Sequence, residues 1–239
     1  MKVEIIKCLQ DNYSYIIIDK KHNHACVIDP SESEPVINFI ESKNIKLKFI
    51  LNTHHHHDHV DGNNDLKKKY GANVVGFKND KQRIPSIDIL LEDNQIWKGE
   101  NFEAKIIHIP GHTSGHICFY FIKEKVAFTG DTLFSLGCGR IFEGTYKQMY
   151  NSLNKLKKLP ADTKIYCGHE YTLKNSLFCS KYDKNNKNLE KKIFEINNKL
   201  KKNLPTIPST IEEELACNIF LRAKNLEDFS KLRDLKDNF

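Results

Sequence analysis

No stretch of this chain approaches the length of a membrane span, and the N-terminal Met1-Lys2-Val3-Glu4-Ile5-Ile6 has no secretory hydrophobic region and reads directly as a strand. A soluble, cytoplasmic protein is therefore expected. No Cys-x-x-Cys pair occurs among the seven cysteines, Cys8, Cys26, Cys118, Cys138, Cys167, Cys179 and Cys217, and their number is odd. Most sit in apolar, strand-like runs, where a thiol behaves as a small hydrophobe, so we expect them reduced and structural. Cys138, between two glycines, is the only one to raise a functional question, and no base lies near it in sequence. There is no repeat of aromatic and basic residues suited to stacking nucleic-acid bases. The formal charge of +6 is mostly scattered lysine, which fits solvated faces and attraction of a small anionic substrate. Hydrophobic content is on the low side at 39%, but 239 residues suffice for one large domain, or a domain with a small appendage, and a sizeable core.

What the chain does have is concentrated in Thr53-His54-His55-His56-His57-Asp58-His59, five imidazoles and one carboxylate in seven residues. Lys48-Phe49-Ile50-Leu51 before it reads as the end of a buried strand, and Gly62-Asn63-Asn64-Asp65-Leu66 after it as a helix start. On an extended segment alternate residues share a face. His54, His56 and Asp58 are therefore expected to point one way, with His59 added where the chain turns into the helix, and His55 and His57 to point elsewhere. Imidazole and carboxylate donors suit zinc, iron or manganese, and two pairs of donors suit two ions side by side. A purification tag would sit at a terminus, whereas this tract is internal.

Along the rest of the chain, residues 3–6, 13–19 and 24–29 read as an antiparallel meander stopped by Asp29-Pro30. Ser31 or Ser33 is expected to cap a helix running to about Ser42. The strand 47–52, a helix over 62–70 ended by Gly71, and strands at 73–77, 87–91, 95–97 and 102–109 follow. An amphipathic helix over 145–159 turns Met149, Leu153 and Leu156 inward, and Lys164 to Cys167 is the last strand. From residue 174 onward no convincing strand is expected. Leu189, Ile193, Ile196 and Leu200 recur at helical spacing, and Ser209 or Thr210 with Glu212 and Glu213 reads as an N-cap and capping box. Such an order argues for an α+β sandwich with helices outside two packed sheets, and a small helical domain behind it.

Three later points repeat one form, an apolar strand, a glycine, then a metal-type ligand. They are Pro110-Gly111-His112, Thr129-Gly130-Asp131 and Cys167-Gly168-His169. With the first tract they make four ligand-bearing strand ends. At this point the chain resembles the metallo-β-lactamase superfamily, and within it the glyoxalase II (hydroxyacylglutathione hydrolase) family. The finer matches are Gly111-His-Thr-Ser-Gly-His116, Gly130-Asp-Thr-Leu-Phe134, Gly137-Cys-Gly-Arg140, Glu143-Gly144-Thr145 and Tyr166-Cys-Gly-His-Glu-Tyr-Thr172. Pro205-Thr-Ile-Pro-Ser-Thr210 and the ending Lys236-Asp-Asn-Phe239 extend the likeness over nearly the whole chain.

The resemblance implies an αββα sandwich over 1–172 and a C-terminal all-helical domain over 173–239 that contributes to a glutathione site. It implies two divalent metal ions, zinc first, with iron or manganese as alternatives. His54, His56 and His112 would hold one, and Asp58, His59 and His169 the other. Asp131 would bridge them, so that Asp58 and Asp131 act through a metal-bridging hydroxide with no separate protein nucleophile. The reaction implied is hydrolysis of the thioester S-D-lactoylglutathione to D-lactate and glutathione, the second step of methylglyoxal detoxification. A thiol of pKa about 8.5 leaves as thiolate with little help, so no general acid is assigned. Arg140, Phe142, Tyr171, Arg233 and Lys236 would face the glutathione moiety, whose two carboxylates suit cations. Many family members have tyrosine at the Phe142 position and some lysine at the Arg140 position. Asn218-Ile219-Phe220 departs by lacking the usual central proline. His57 reads as a bystander, His116 as a support of the ligands, and His22, His24 and His108 as ordinary residues.

Other readings lead elsewhere. Related glutathione-linked members oxidise persulfides with one iron, but here both ligand sets are complete. Another metallo-β-lactamase-fold hydrolase, such as one processing nucleic acid, would usually add a substrate-clamping domain. A metal-storing scaffold fits poorly with seven ligands that leave room for water. The expected partner is a small glutathione thioester, with no nucleic acid and no membrane, and the expected state is a monomer.

Overall fold

The computed structural model describes all 239 residues, Met1–Phe239. They fall into two compact units: Met1–His108 with Gly115–Glu124, and Ile109–Ser114 with Lys125–Phe239.

The first unit opens with β1 (Lys2–Cys8), β2 (Asn12–Asp19) and β3 (His24–Ile28), the antiparallel meander expected. Helix α1 (Ser33–Lys43) carries the chain to β4 (Lys46–Leu51), which lies parallel to β3. A short helix α2 (His57–Val60) and then α3 (Asn63–Tyr70) lead to β5 (Asn73–Phe77) and β6 (Ile89–Leu91), both parallel additions to the sheet. The resulting order is β1-β2-β3-β4-β5-β6. Val36 and Ile40 of α1 and Leu66 of α3 pack on Ile16, Ile18, Ala25, Val27 and Val74 of one sheet face. Strands buried on both faces read as continuous apolar runs, which is why β2 to β4 show little alternation. Lys48 is an extra residue in β4, since Ala25 pairs with Leu47 but Cys26 with Phe49. The bulge turns Phe49 to the opposite face, where its ring meets Trp97 edge-on at 5.1 Å. Trp97 belongs to β7 (Ile96–Gly99), which pairs antiparallel with β8 (Phe102–His108), itself paired with β9 (Ile117–Phe121). The strands β7–β9 thus meet the first sheet at the Phe49–Trp97 pair, on the face opposite to α1 and α3.

Two local expectations are corrected. The N-cap of α1 is Glu32, with no side-chain cap bond. Ser31 is buried with its N–H on Ser14 Oγ, and Ser33 donates instead to Asp65, so neither hydroxyl reaches the helix end. The extended alternation through Asp58 also ends early, because Asp58 and His59 stand on the helical turn α2.

The second unit contains β10 (Val126–Gly130), a two-stranded hairpin of β11 (Leu133–Phe134) and β12 (Gly137–Cys138), and helix α4 (Tyr146–Leu156). A reciprocal capping box, Thr145 with Gln148, starts α4, and Met149, Leu153 and Leu156 are buried as its pattern predicts. Strand β13 (Lys164–Cys167) lies parallel to β10. The tail is α5 (Thr172–Tyr182), α6 (Lys187–Lys201), a short strand β14 (Ser209–Thr210), α7 (Ile211–Cys217) and α8 (Leu226–Asp237). Strand β14 corrects the expectation of an all-helical tail sequence: Ser209 and Thr210 pair antiparallel with Ile165 and Lys164 before Thr210 caps α7. Phe178 stacks with Phe220 at 5.8 Å, and Phe220 meets Phe229 edge-on at 6.1 Å, forming the tail's aromatic core. No helix is long and apolar enough to cross a membrane.

Glu214 of α7 is fully buried, and burial pushes its carboxyl up to about 7. The folded chain keeps this proton where an unfolded one has lost it, so stability falls as pH rises from the ordinary carboxylate range to about 7. Above that window the buried charge costs on the order of 3 kcal/mol. Glu214→Gln is therefore expected to raise Tm relative to the native chain at about pH 8 and much less at about pH 5. Equal shifts at the two pH values would show that folding does not raise the Glu214 pKa.

Candidate metal centre

The first unit carries four of the expected ligands on one loop. Asp29, at the end of β3 with φ of 46°, is 2% exposed and organises that loop. Its Oδ1 accepts from Thr53 N at 2.7 Å, and its Oδ2 accepts from Thr53 Oγ1 at 2.6 Å and from His59 Nδ1 at 3.0 Å. Because the Thr53 hydroxyl donates to Asp29, it accepts from His54 Nδ1 at 3.0 Å. Both rings are thereby held in the tautomer whose Nε2 presents a lone pair, as in histidines that ligate metals. The His54 ring centroid is 4.7 Å from that of His56 and 4.2 Å from that of His59. Asp58 Oδ2 stands 3.6 Å from His59 Nε2 and accepts from Asn12 Nδ2 at 2.9 Å. Asp29 itself lies near His54 and His59, but its oxygens already accept three hydrogen bonds, which makes it a support rather than a ligand.

His116 is buried and stacks on His54 with centroids 4.6 Å apart. His55 turns away to Asp80 and Arg83, and the His57 side chain is 96% exposed. His108 stacks on Phe77, and His22 pairs with Asp19.

The second unit carries the other three. His112 sits in a loop tied down on both sides. Its backbone oxygen accepts from Phe142 N and Glu143 N, and Gly144 N bonds Gly111 O. The Glu143 carboxylate accepts from Ser114 N at 2.7 Å and Ser114 Oγ at 2.8 Å. His112 Nδ1 donates to the Arg140 carbonyl at 2.8 Å, again leaving Nε2 for a ligand. Asp131 follows β10, and His169 follows β13. His112 Nε2 is 3.4 Å and His169 Nε2 3.3 Å from the same oxygen, Asp131 Oδ2. Gly139 makes this closeness sterically feasible: a Cβ there would lie 1.8 Å from Asp131 O and 3.4 Å from His112 Nδ1.

The imidazole and carboxylate groups that each unit presents, with no thiolate among them, are donor types that suit divalent ions such as zinc, iron or manganese. The ring nitrogens pinned by Thr53, Asp29 and Arg140 fit such ions better than a free histidine tract would.

The residues expected at the substrate lie in the second unit. Arg140 is exposed, with Nε 3.3 Å from Asp237 Oδ1. Phe142 is 61% exposed and stands edge-on to His112 at 5.2 Å. Tyr171 stacks on His169 at 4.7 Å with only 4° between the planes. Arg233 lies inside the fold. It is 4% exposed, with Nη1 donating to Cys138 O at 2.8 Å and Nη2 to Asp237 at 2.9 Å. Lys236 Nζ lies 5.0 Å over the Phe178 ring, and burial, then nearby Arg233, lowers its pKa. Cys138 is buried, and burial raises its thiol pKa despite Arg233, which disfavours a nucleophilic thiolate.

Sequence reasoning did not single out Asp29, Asn12, Glu143 or Glu214 as functional. Asp29-Pro30 was legible only as a strand stop.

The fold and the histidine and aspartate cluster are those of a metallo-β-lactamase-type metal-dependent protein. Residues 9–169 match the metallo-beta-lactamase superfamily, and residues 170–239 match the family described as hydroxyacylglutathione hydrolase C-terminus. A hydroxyacylglutathione hydrolase of Pelagibacter ubique is 70% identical over 239 residues, the whole of both chains. One of Prochlorococcus marinus is 46% identical, covering 97% of this chain and 94% of its own. Among solved structures, ETHE1 from Myxococcus xanthus superposes with a TM-score of 0.75 at 24% identity, covering 98% of this chain and 90% of its own. The chain belongs to the hydroxyacylglutathione hydrolase family, the glyoxalase II branch of that superfamily.

Proposed function

We propose that this protein hydrolyses S-D-lactoylglutathione, and related S-2-hydroxyacylglutathiones, to the 2-hydroxy acid and glutathione, as the second step of methylglyoxal detoxification. The observation that carries this reading is the convergence of two imidazole Nε2 atoms, His112 and His169, on one oxygen of Asp131. A carboxylate shared between two ions needs such an arrangement. The proposed ligand sets are His54, His56 and His112 for one ion and Asp58, His59 and His169 for the other, with Asp131 common to both. Zinc is the first choice, and iron or manganese fits the same donors. Bound divalent cations supply Lewis acidity and a nucleophile available at neutral pH.

The chain's own residues do the rest. Asn12 orients the Asp58 carboxylate, and Asp29 and the Arg140 carbonyl keep the protons of His59 and His112 on Nδ1. Arg140 and Lys236 offer cations for the glutathione carboxylates, while Phe142 and Tyr171 offer ring faces for its apolar parts. Arg233 acts in this scheme from beneath, by holding Asp237 and the 138 carbonyl in place. The leaving thiolate, of pKa about 8.5, needs no protonating residue. The one-iron persulfide reaction would leave the Asp58–His59–His169 set without a task. We further propose residues 1–172 as the catalytic domain and 173–239 as the domain completing the glutathione site, in a cytoplasmic monomer.

The test is loss of thioester absorbance when S-D-lactoylglutathione is added to protein of known metal content. Rapid turnover is expected, with kcat/KM in the range of about 10⁴–10⁸ M⁻¹s⁻¹ usual for enzymes on their own substrates. No turnover by protein holding two metals per chain would reject this substrate. Oxygen uptake with glutathione persulfide would then identify the competing chemistry.

A further inference from the structure

The hairpin β11–β12 lies between Asp131 and Arg140, and its strands are two residues each. Strands this short have too few ladder bonds to hold a position by themselves. At its tip Leu136 adopts a φ of 59°, a left-handed conformation costly for a residue with a branched side chain. Something else must hold it, and side chains of the helical tail do so. Asn218 Nδ2 donates to Gly137 O at 3.0 Å and to Glu214 Oε2 at 2.9 Å, and stands 3.4 Å from Phe134 O. Glu214 Oε2 also accepts from Leu136 N at 2.9 Å. Asn175 donates to Ser135 O at 3.0 Å, the Cys179 thiol to Leu136 O at 3.2 Å, and Arg233 to Cys138 O at 2.8 Å. Glu214 and Asn218 are both 0% exposed, so water offers no replacement for either.

The hairpin is joined to the metal-type ligands at both ends. Asp131 precedes it by two residues. Gly139, just past it, returns its N–H to Thr132 O at 3.2 Å and lies against Asp131 O and His112 Nδ1. The next carbonyl, Arg140 O, fixes the His112 ring. Moving the hairpin therefore moves both the carboxylate and the acceptor that sets the imidazole.

We propose that Glu214 and Asn218 are positioning residues for the metal centre: from the C-terminal helices they clamp hairpin β11–β12, and so set where Asp131 and the Arg140 carbonyl stand and how His112 is turned. This rests on Asp131 and His112 being metal ligands. It gives the helical tail a role in metal binding that is separate from any contact it makes with glutathione.

The test is chelator competition on the full chain loaded with zinc, read as metal retained per chain and independent of which thioester is hydrolysed. Asn218→Ala is expected to weaken retention by about tenfold to a hundredfold, the range for groups that orient ligands. Glu214→Gln, whose amide oxygen can still accept from Leu136 N and Asn218, is expected to stay within severalfold of the native chain. Leu189→Ala, which opens a core position in α6 and removes no hydrogen bond to the hairpin, lowers Tm and should leave retention unchanged. If Asn218→Ala does not accumulate folded, Glu214→Met must give the same loss. Native-like retention in Asn218→Ala or Glu214→Met, or an equal loss in Leu189→Ala, overturns the clamp. A native chain that retains no zinc overturns the clamp and the ligand assignment together. Zinc retained by a native chain inactive on S-D-lactoylglutathione would reject only the substrate.

Discussion

Asp131→Ala is expected to lower kcat for thioester hydrolysis on the order of 10³-fold, the upper range for removal of one electrostatic group at a reacting centre. The carboxylate is 6% exposed, and one of its oxygens lies within 3.4 Å of two imidazole nitrogens. Its removal leaves His112 and His169 facing each other with no shared anion between them, so two cations brought there would repel unscreened. The loss should fall on kcat, because the proposed substrate contacts Arg140, Phe142 and Tyr171 are untouched and binding away from the reacting bond should persist. The fold should survive. The backbone of residues 129–132 is held by Thr129 Oγ1 on Leu133 O and by Thr132 N on Thr129 O, bonds that the substitution leaves in place. Steady-state kinetics with circular dichroism on the same sample check this. Turnover within severalfold of the native chain would remove Asp131 from its shared position between the ligand sets.

Removing the metals should have the second large effect. Dialysis against a strong chelator is expected to abolish hydrolysis, and zinc, iron or manganese added back should restore it. Stability should drop as well, because ions that bind only the folded chain stabilise it by about 2.7 kcal/mol at a hundred times their Kd. Without them, imidazole and carboxylate donors already stripped of water have fewer partners. Activity that persists in protein shown by elemental analysis to be metal-free would end the metal-dependent reading altogether.

His54, His56, Asp58, His59, His112, Asp131 and His169 stood out because each lies where an apolar strand breaks into glycine or polar residues, a local pattern. The helices of the tail were legible for the same reason: Leu189 and Ile196 recur at helical spacing, and both are buried. The α1 cap failed because a serine near a helix start signals a cap only when its hydroxyl is free, and burial of Ser31 among tertiary partners decided otherwise. Strand β14 failed because two residues carry no periodicity, and pairing with β13 alone makes them a strand.

Strand-end motifs and helical spacing thus made the fold class and the family legible, and through the family the proposed ligand residues, because these are carried by contiguous runs of chain. Only the tertiary structure decided how those ligands are held. Asp29 reaches Thr53 across 24 residues, Asn12 reaches Asp58 across 46, and Arg233 reaches Cys138 across 95. A hydrogen bond between distant residues depends on where folding brings two side chains, and it leaves no pattern in either neighbourhood.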